Sequence, residues 1–151
     1  VGITVLSEVR QSVASLRSDP LDEISLTEAI HNLTNDFHRS TGISPKTQIV
    51  LDKPPPKMLA NTIFRIIQES LTNICKHADA NLVSVNLIQS ENVIDLVITD
   101  NGKGFDLSKN TTGFGLQGMK ERAIAISGEI EIVTAPQMGC KLQARIPIQE
   151  I

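Results

Sequence analysis

Cysteine is scarce in this 151-residue chain. Its two copies, Cys75 and Cys140, stand too far apart for a Cys-x-x-Cys metal or redox pair and are too few for a disulfide framework. A reducing setting is therefore expected. Positive charge is not in excess either: the formal net charge of -3 at pH 7 gives no broad field for counterion release from a nucleic-acid backbone, so no nucleic-acid partner is expected. No apolar run approaches the roughly 18 residues needed to span a bilayer, and residues 1–6 carry neither the basic region nor the apolar stretch of a secretion signal. A soluble, cytoplasmic chain without membrane contact is expected, any membrane anchor of a longer protein lying elsewhere. The chain opens on Val1 without an initiator methionine, as an excised or processed piece would.

What is present suits one globular domain: 40% apolar and 21% charged residues lie far from the composition of disordered chains. Apolar positions recur at helical spacing over 3–16, and Asp19-Pro20 breaks that pattern. A second helix is expected over 25–40, with Ser25 and Glu28 as a capping box and Gly42 and Pro45 ending it. A short strand over 48–52 leads through three prolines into a long helix over 57–78. Residues 82–89 and 93–99 alternate as a hairpin, a long polar loop covers 100–112, a helix follows over 115–127, and two strands close the chain at 129–134 and 141–147. The expected fold is α+β: a two-layer sandwich with a mixed sheet of about five strands and about three helices on one face.

Three stretches can carry chemistry. In Gln68-Glu69-Ser70-Leu71-Thr72-Asn73-Ile74-Cys75-Lys76-His77-Ala78, a helical advance of about 100° per residue gathers Glu69, Asn73 and Lys76 into one arc, with His77 at its edge. Oxygen ligands for a hard cation beside positive charge for phosphate suit a magnesium nucleotide; a solvated helix face is the plainer alternative. Asp100-Asn101-Gly102-Lys103-Gly104-Phe105 follows an apolar strand, so a carboxylate there can accept from an exocyclic amino group while glycines allow a flat ring to approach. A plain Asn101-Gly102 hairpin turn would require a partner strand directly after it, and 105–112 does not alternate. Gly113-Phe114-Gly115-Leu116-Gln117-Gly118-Met119 opens a helix whose free amides favour phosphate. Its glycines spell a dinucleotide fingerprint, but that motif must follow directly on a strand. Leu116, Met119, Ala123 and Ile126 form the core side of this helix.

In this order and spacing the three stretches resemble the N, G1 and G2 boxes of the GHKL ATPase superfamily. Lys76-His77-Ala78 together with the Gly113-x-Gly-Leu-x-Gly-Met-x-Glu-Arg run is most similar to the histidine-kinase branch of the nitrate-responsive and DesK-type sensors. The resemblance implies the Bergerat fold, ATP and Mg2+ as cofactors, and transfer of the γ-phosphoryl group to a histidine in two-component signalling. It implies that Asn73 and Glu69 are the catalytic pair and hold magnesium, that Glu69 also orients or activates groups around the γ-phosphate, and that Lys76 and His77 approach the phosphates. It further implies that Asp100 binds the adenine amino group, Gly102 and Gly104 admit the ring, and Gly113, Gly115 and Gly118 meet the phosphates or hinge the lid. Phe105, Leu116 and Cys140 complete the nucleotide-contacting set, and the loop to Thr112 acts as a lid. One position departs from the family, which usually has threonine where Cys140 stands; a thiol is a poor hydrogen-bonding group, so weaker affinity is expected.

By the same resemblance, residues 1–20 end a dimerisation and phosphoacceptor helical hairpin and 21–151 form the ATP-binding catalytic domain. The implied partners are that hairpin and a response regulator; this piece is expected to be monomeric and the longer protein a homodimer. The accepting histidine of the branch precedes an acidic residue, whereas His31, His38 and His77 precede Asn32, Arg39 and Ala78; no autophosphorylation of this chain is expected. Two alternatives remain: an anti-sigma-factor-type serine kinase, against which the 3–17 helix and the 118–122 segment speak, and a non-catalytic interaction module.

Overall fold

The computed structural model describes residues 21, 23–106 and 115–148; the helix expected over 3–16 and Gly113 lie outside them. Helix α1, Leu26–Thr41, begins where Ser25 Oγ accepts the Glu28 N–H at 3.1 Å and ends at left-handed Gly42, whose N–H reaches His38 O. This satisfies backbone groups that every helix end leaves open. Strand β1, Lys46–Val50, lies two residues earlier than its expected span. Pro56 then precedes helix α2, Lys57–Asn73.

The long helix does not stay α-helical to Ala78. Ile74–Ala78 is a π-helical turn, closed by left-handed Asp79. Strands β2, Val83–Ser90, and β3, Val93–Asp100, form the expected hairpin. Helix α3, Leu116–Ala125, is followed by β4, Glu129–Thr134, and β5, Cys140–Pro147. The sheet order is β1-β2-β3-β5-β4, parallel at β1·β2 and antiparallel elsewhere.

Alternation divides the sheet into two faces. Ile49, Leu87, Leu96, Ala144 and Ile130 form one row of register partners on the helix side. Their neighbours Gln48, Asn86, Val97, Gln143 and Glu131 form a row on the open side. Ile30 of α1, Ile63, Ile66 and Ile67 of α2 and Met119 of α3 are essentially inaccessible to water above the first face. Burying each such side chain contributes roughly 1.5–3 kcal/mol. Buried Gln89 is satisfied by accepting the Asp52 N–H, which ties the exit of β1 to β2. These contacts place the C-terminal half of α2 above the ends of β3 and β5.

Candidate functional site

The floor of a cleft is built from two inner rows at that end of the sheet. Ile98, Leu142 and Ile132 are register neighbours, and Asp100, Cys140 and Thr134 form the row beyond them. Above it stands one wall from α2 and its π turn, Ser70, Asn73, Ile74, His77 and Ala78. Gly104 and Phe105 close one side, and Leu116 and Met119 of α3 close the other. Asn73 and Asp100, from stretches separated by β2 and most of β3, thus line the same largely apolar cleft.

The two basic side chains of the π turn line different grooves. An i→i+5 turn advances each residue by less than the α-helical value of about 100°. The positions after Asn73 consequently lag behind the arc that an α-helix would trace. His77 lines the cleft, whereas Lys76 lines a groove on the other side, between α1 and α2, with Asp36 and Phe37. The common arc expected for Glu69, Asn73 and Lys76 is corrected on this point.

The loop after β3 is held from three directions. Asp100 Oδ1 accepts the Gly102 N–H at 2.8 Å, and Lys103 N–H reaches Ala78 O at 2.7 Å. Lys103 O accepts from Gln137 N in the β4–β5 turn. Gly102 lies so close to the π turn that a Cβ would overlap the Ala78 carbonyl. Gly104, at φ +60, faces Ala135 O in the same way. The residues after Asn101 pair with no following strand through Asp106, so the hairpin-turn alternative is set aside.

Burial and charge act together at the sheet end. Desolvation raises the Asp100 carboxyl above its ordinary range, and its bond from Gly102 N opposes this. The Cys140 thiol is pushed up to about 11, first by burial and then by the Asp100 charge, against a hydrogen bond with Thr134. It is therefore a neutral, weak hydrogen-bonding group at neutral pH. The Thr134 hydroxyl donates to Gly139 O at 2.7 Å and accepts from Phe105 N at 3.2 Å, so it fastens the loop.

Glu69 does not line the cleft floor. Its carboxylate lies against Gly115, the left-handed cap of α3, where a Cβ would overlap Glu69 Oε1. A Cβ at Gly118 would meet nothing within 4 Å. Among the described residues no group of three or more His, Cys, Asp and Glu can hold a metal ion. A magnesium ion with few protein ligands and several phosphate and water oxygens is compatible with that donor set. Apolar walls with Asp100, Asn73 and His77 among them also suit a flat base carrying a charged tail. Ser70, Ile74, Ile98, Ile132, Met119 and Leu142 also line the cleft; the apolar ones carry no signal that sequence reading could separate from packing, and Ser70 is buried beside them. Ser70 hydroxyl bonds the Met119 sulfur at 3.8 Å, joining α2 to α3 beneath it. No described helix is long and apolar enough to cross a membrane.

Comparison with known proteins agrees with this architecture. The chain is 37% identical over 145 residues to the signal transduction histidine-protein kinase/phosphatase DegS of Brevibacillus brevis, covering 95% of this chain and 38% of that protein. It is 33% identical over 144 residues to the sensor protein VraS of Staphylococcus epidermidis, covering 95% and 41%. The chain thus spans well under half the length of these relatives. Among solved structures, the histidine kinase domain of the Erythrobacter litoralis EL346 blue-light activated histidine kinase superposes with a TM-score of 0.66 at 17% identity, over 83% of this chain and 62% of that one. The Acinetobacter baumannii histidine kinase AdeS gives 0.65 at 15% identity, over 98% and 81%. These two likenesses establish the fold. Because residues 58–150 match the family described as histidine kinase-, DNA gyrase B-, and HSP90-like ATPase, the chain belongs to that family.

Proposed function

We propose that residues 21–151 bind Mg-ATP and, within a longer sensor kinase, present its γ-phosphoryl group to a histidine outside this chain, from which it passes to a response regulator. The observation that carries this reading is the shared, largely apolar cleft that Asn73, His77 and Asp100 line together. Asp100 would accept from the adenine amino group, and Asn73 would supply an oxygen to the magnesium that accompanies the phosphates. Glu69, held at the α3 cap, would act on groups around the γ-phosphate. Lys76 would reach the phosphates only by extending from its groove, so His77 is assigned the nearer contact. Phosphoryl transfer asks a protein chiefly for position and charge neutralisation, which is what these residues can provide. Residues 1–20 are assigned to the end of the dimerisation hairpin, making the longer protein a homodimer. Calorimetric titration with a non-hydrolysable ATP analogue is expected to show saturable binding that weakens when magnesium is chelated. A flat titration at high analogue concentration would remove the kinase reading in favour of an interaction module.

Gly118 supplies a second test. Helical glycine is less stable than alanine by roughly 0.5–1 kcal/mol, and the space around this position is open. Gly118→Ala is expected to raise the denaturation midpoint while lowering analogue affinity, because the phosphate chain is assigned to the backbone of residues 115–118. A rise in both quantities would move the phosphates elsewhere.

A further inference from the structure

The Asn101-Gly102 pair forms no hairpin turn, and neither residue lines the cleft. Asn101 is exposed, yet both its amide oxygen and its amide nitrogen are hydrogen-bonded. Its Oδ1 accepts the N–H groups of Asn81 and Leu82, both at 2.9 Å, and its Nδ2 donates to Asn81 Oδ1 at 2.5 Å. Its own N–H reaches Leu82 O at 3.1 Å. The next peptide nitrogen, Gly102 N, donates to Asp100 Oδ1. Every group needed for one particular side reaction is present, and each is tied to a partner.

We propose that Asn101 is a deamidation site guarded by the Asn81–Leu82 turn, and that its conversion to isoaspartate unfastens the cleft. In the reaction, Gly102 N loses its proton to solvent base and attacks Asn101 Cγ. The Cγ–Nδ2 bond breaks as Nδ2 takes a proton back from the protonated base, ammonia leaves, and a cyclic succinimide remains. One water opens that ring at either carbonyl, leaving aspartate or isoaspartate. Glycine after asparagine favours the attack because no Cβ obstructs it. Attack also requires the amide to swing from the Asn81–Leu82 turn toward its own following peptide, and Gly102 N to leave Asp100. The folded arrangement therefore slows the reaction.

The two products differ physically. Aspartate keeps an oxygen for the Asn81 and Leu82 N–H groups, and a turned Asn81 amide can donate to the other oxygen. Isoaspartate inserts a methylene into the main chain between residues 101 and 102. That insertion displaces Gly102 from Asp100 and Lys103 from Ala78, the two bonds that set the loop beneath the π turn.

The test is mass spectrometry of the peptide ending at Lys103 after mildly alkaline incubation of the whole chain. Conversion is expected to be roughly tenfold faster in urea than in the folded chain, and to accelerate similarly in Asn81→Ala, which lifts side-chain restraint from the amide. Equal rates in the folded and urea-treated chains would overturn the proposal, whether or not Asn81→Ala folds. The isoaspartate fraction is expected to melt lower and to be lost from immobilised ATP, whereas Asn101→Asp is retained within a few-fold of the parent. Unaltered melting of the isoaspartate fraction would refute the unfastening. The rates and melting require no nucleotide, so they judge this site even if the ATP reading fails.

Discussion

Asp100→Ala is expected to weaken ATP-analogue binding roughly 10- to 100-fold, the usual consequence of removing a charged hydrogen-bond acceptor. The side chain sits on the inner row beside Cys140, whose thiol is a weak substitute acceptor. Asn73→Ala should also remove most affinity, acting from the metal and phosphate end. Asp100→Asn provides the finer measurement, since it keeps an oxygen for Gly102 N but carries no charge. In the parent, nucleotide affinity should fall as pH drops through the raised carboxyl range of Asp100; in the asparagine variant that fall should be absent. Stability has the opposite slope. A carboxyl whose folded pKa exceeds its unfolded value makes the folded chain bind protons more tightly, so its contribution is most favourable below the unfolded pKa and declines as pH rises to the folded pKa. Calorimetry at several pH values checks both signs. Unchanged affinity in Asp100→Ala would displace adenine from this end of the cleft.

Gly102→Ala should have the largest effect on the fold. A Cβ there would lie within 2.8 Å of the Ala78 carbonyl carbon and Cβ and closer still to the oxygen, all parts of a fixed π turn. Overpacking of this kind costs about 1–3 kcal/mol, occasionally more, and separation of the two segments would also stretch the Lys103–Ala78 bond. Chemical denaturation should therefore show a loss of that order, with nucleotide binding lost as well. Wild-type stability in Gly102→Ala would mean that the loop packs less tightly against the helix end than described. The contrast with open Gly118 separates a glycine required by close packing from one assigned to ligand approach.

Most of the architecture was legible because it rests on local chemistry. The Ser25 cap, the alternation of β2 and β3 and the apolar stripe of α2 each carry their own signal, and tertiary packing reinforces them. The early start of β1 was not legible, because its alternation is short and its place is set by parallel pairing to β2. Nor was the π turn, since Ile74-Cys75-Lys76-His77-Ala78 fits an α-helical pattern equally well and the wider turn accompanies packing of Ala78 against Gly102. Within that turn His77 lines the cleft and Lys76 the groove against α1. Cys140 was visible as a departure, while the task of the neighbouring Thr134 became apparent only from the pairing of β4 with β5. The apolar lining was recognisable as core and indistinguishable from it, since the same side chains fill the interior and face the cleft.

The bonds Ala78 O to Lys103 N and Lys103 O to Gln137 N form a continuous belt from the end of one helix to the turn between the last two strands. Such a belt resists independent hinging: the loop cannot lift away without releasing both neighbours. Widening this end of the cleft is therefore a concerted event, and any ligand too bulky for it would meet a rigid gauge rather than a yielding wall.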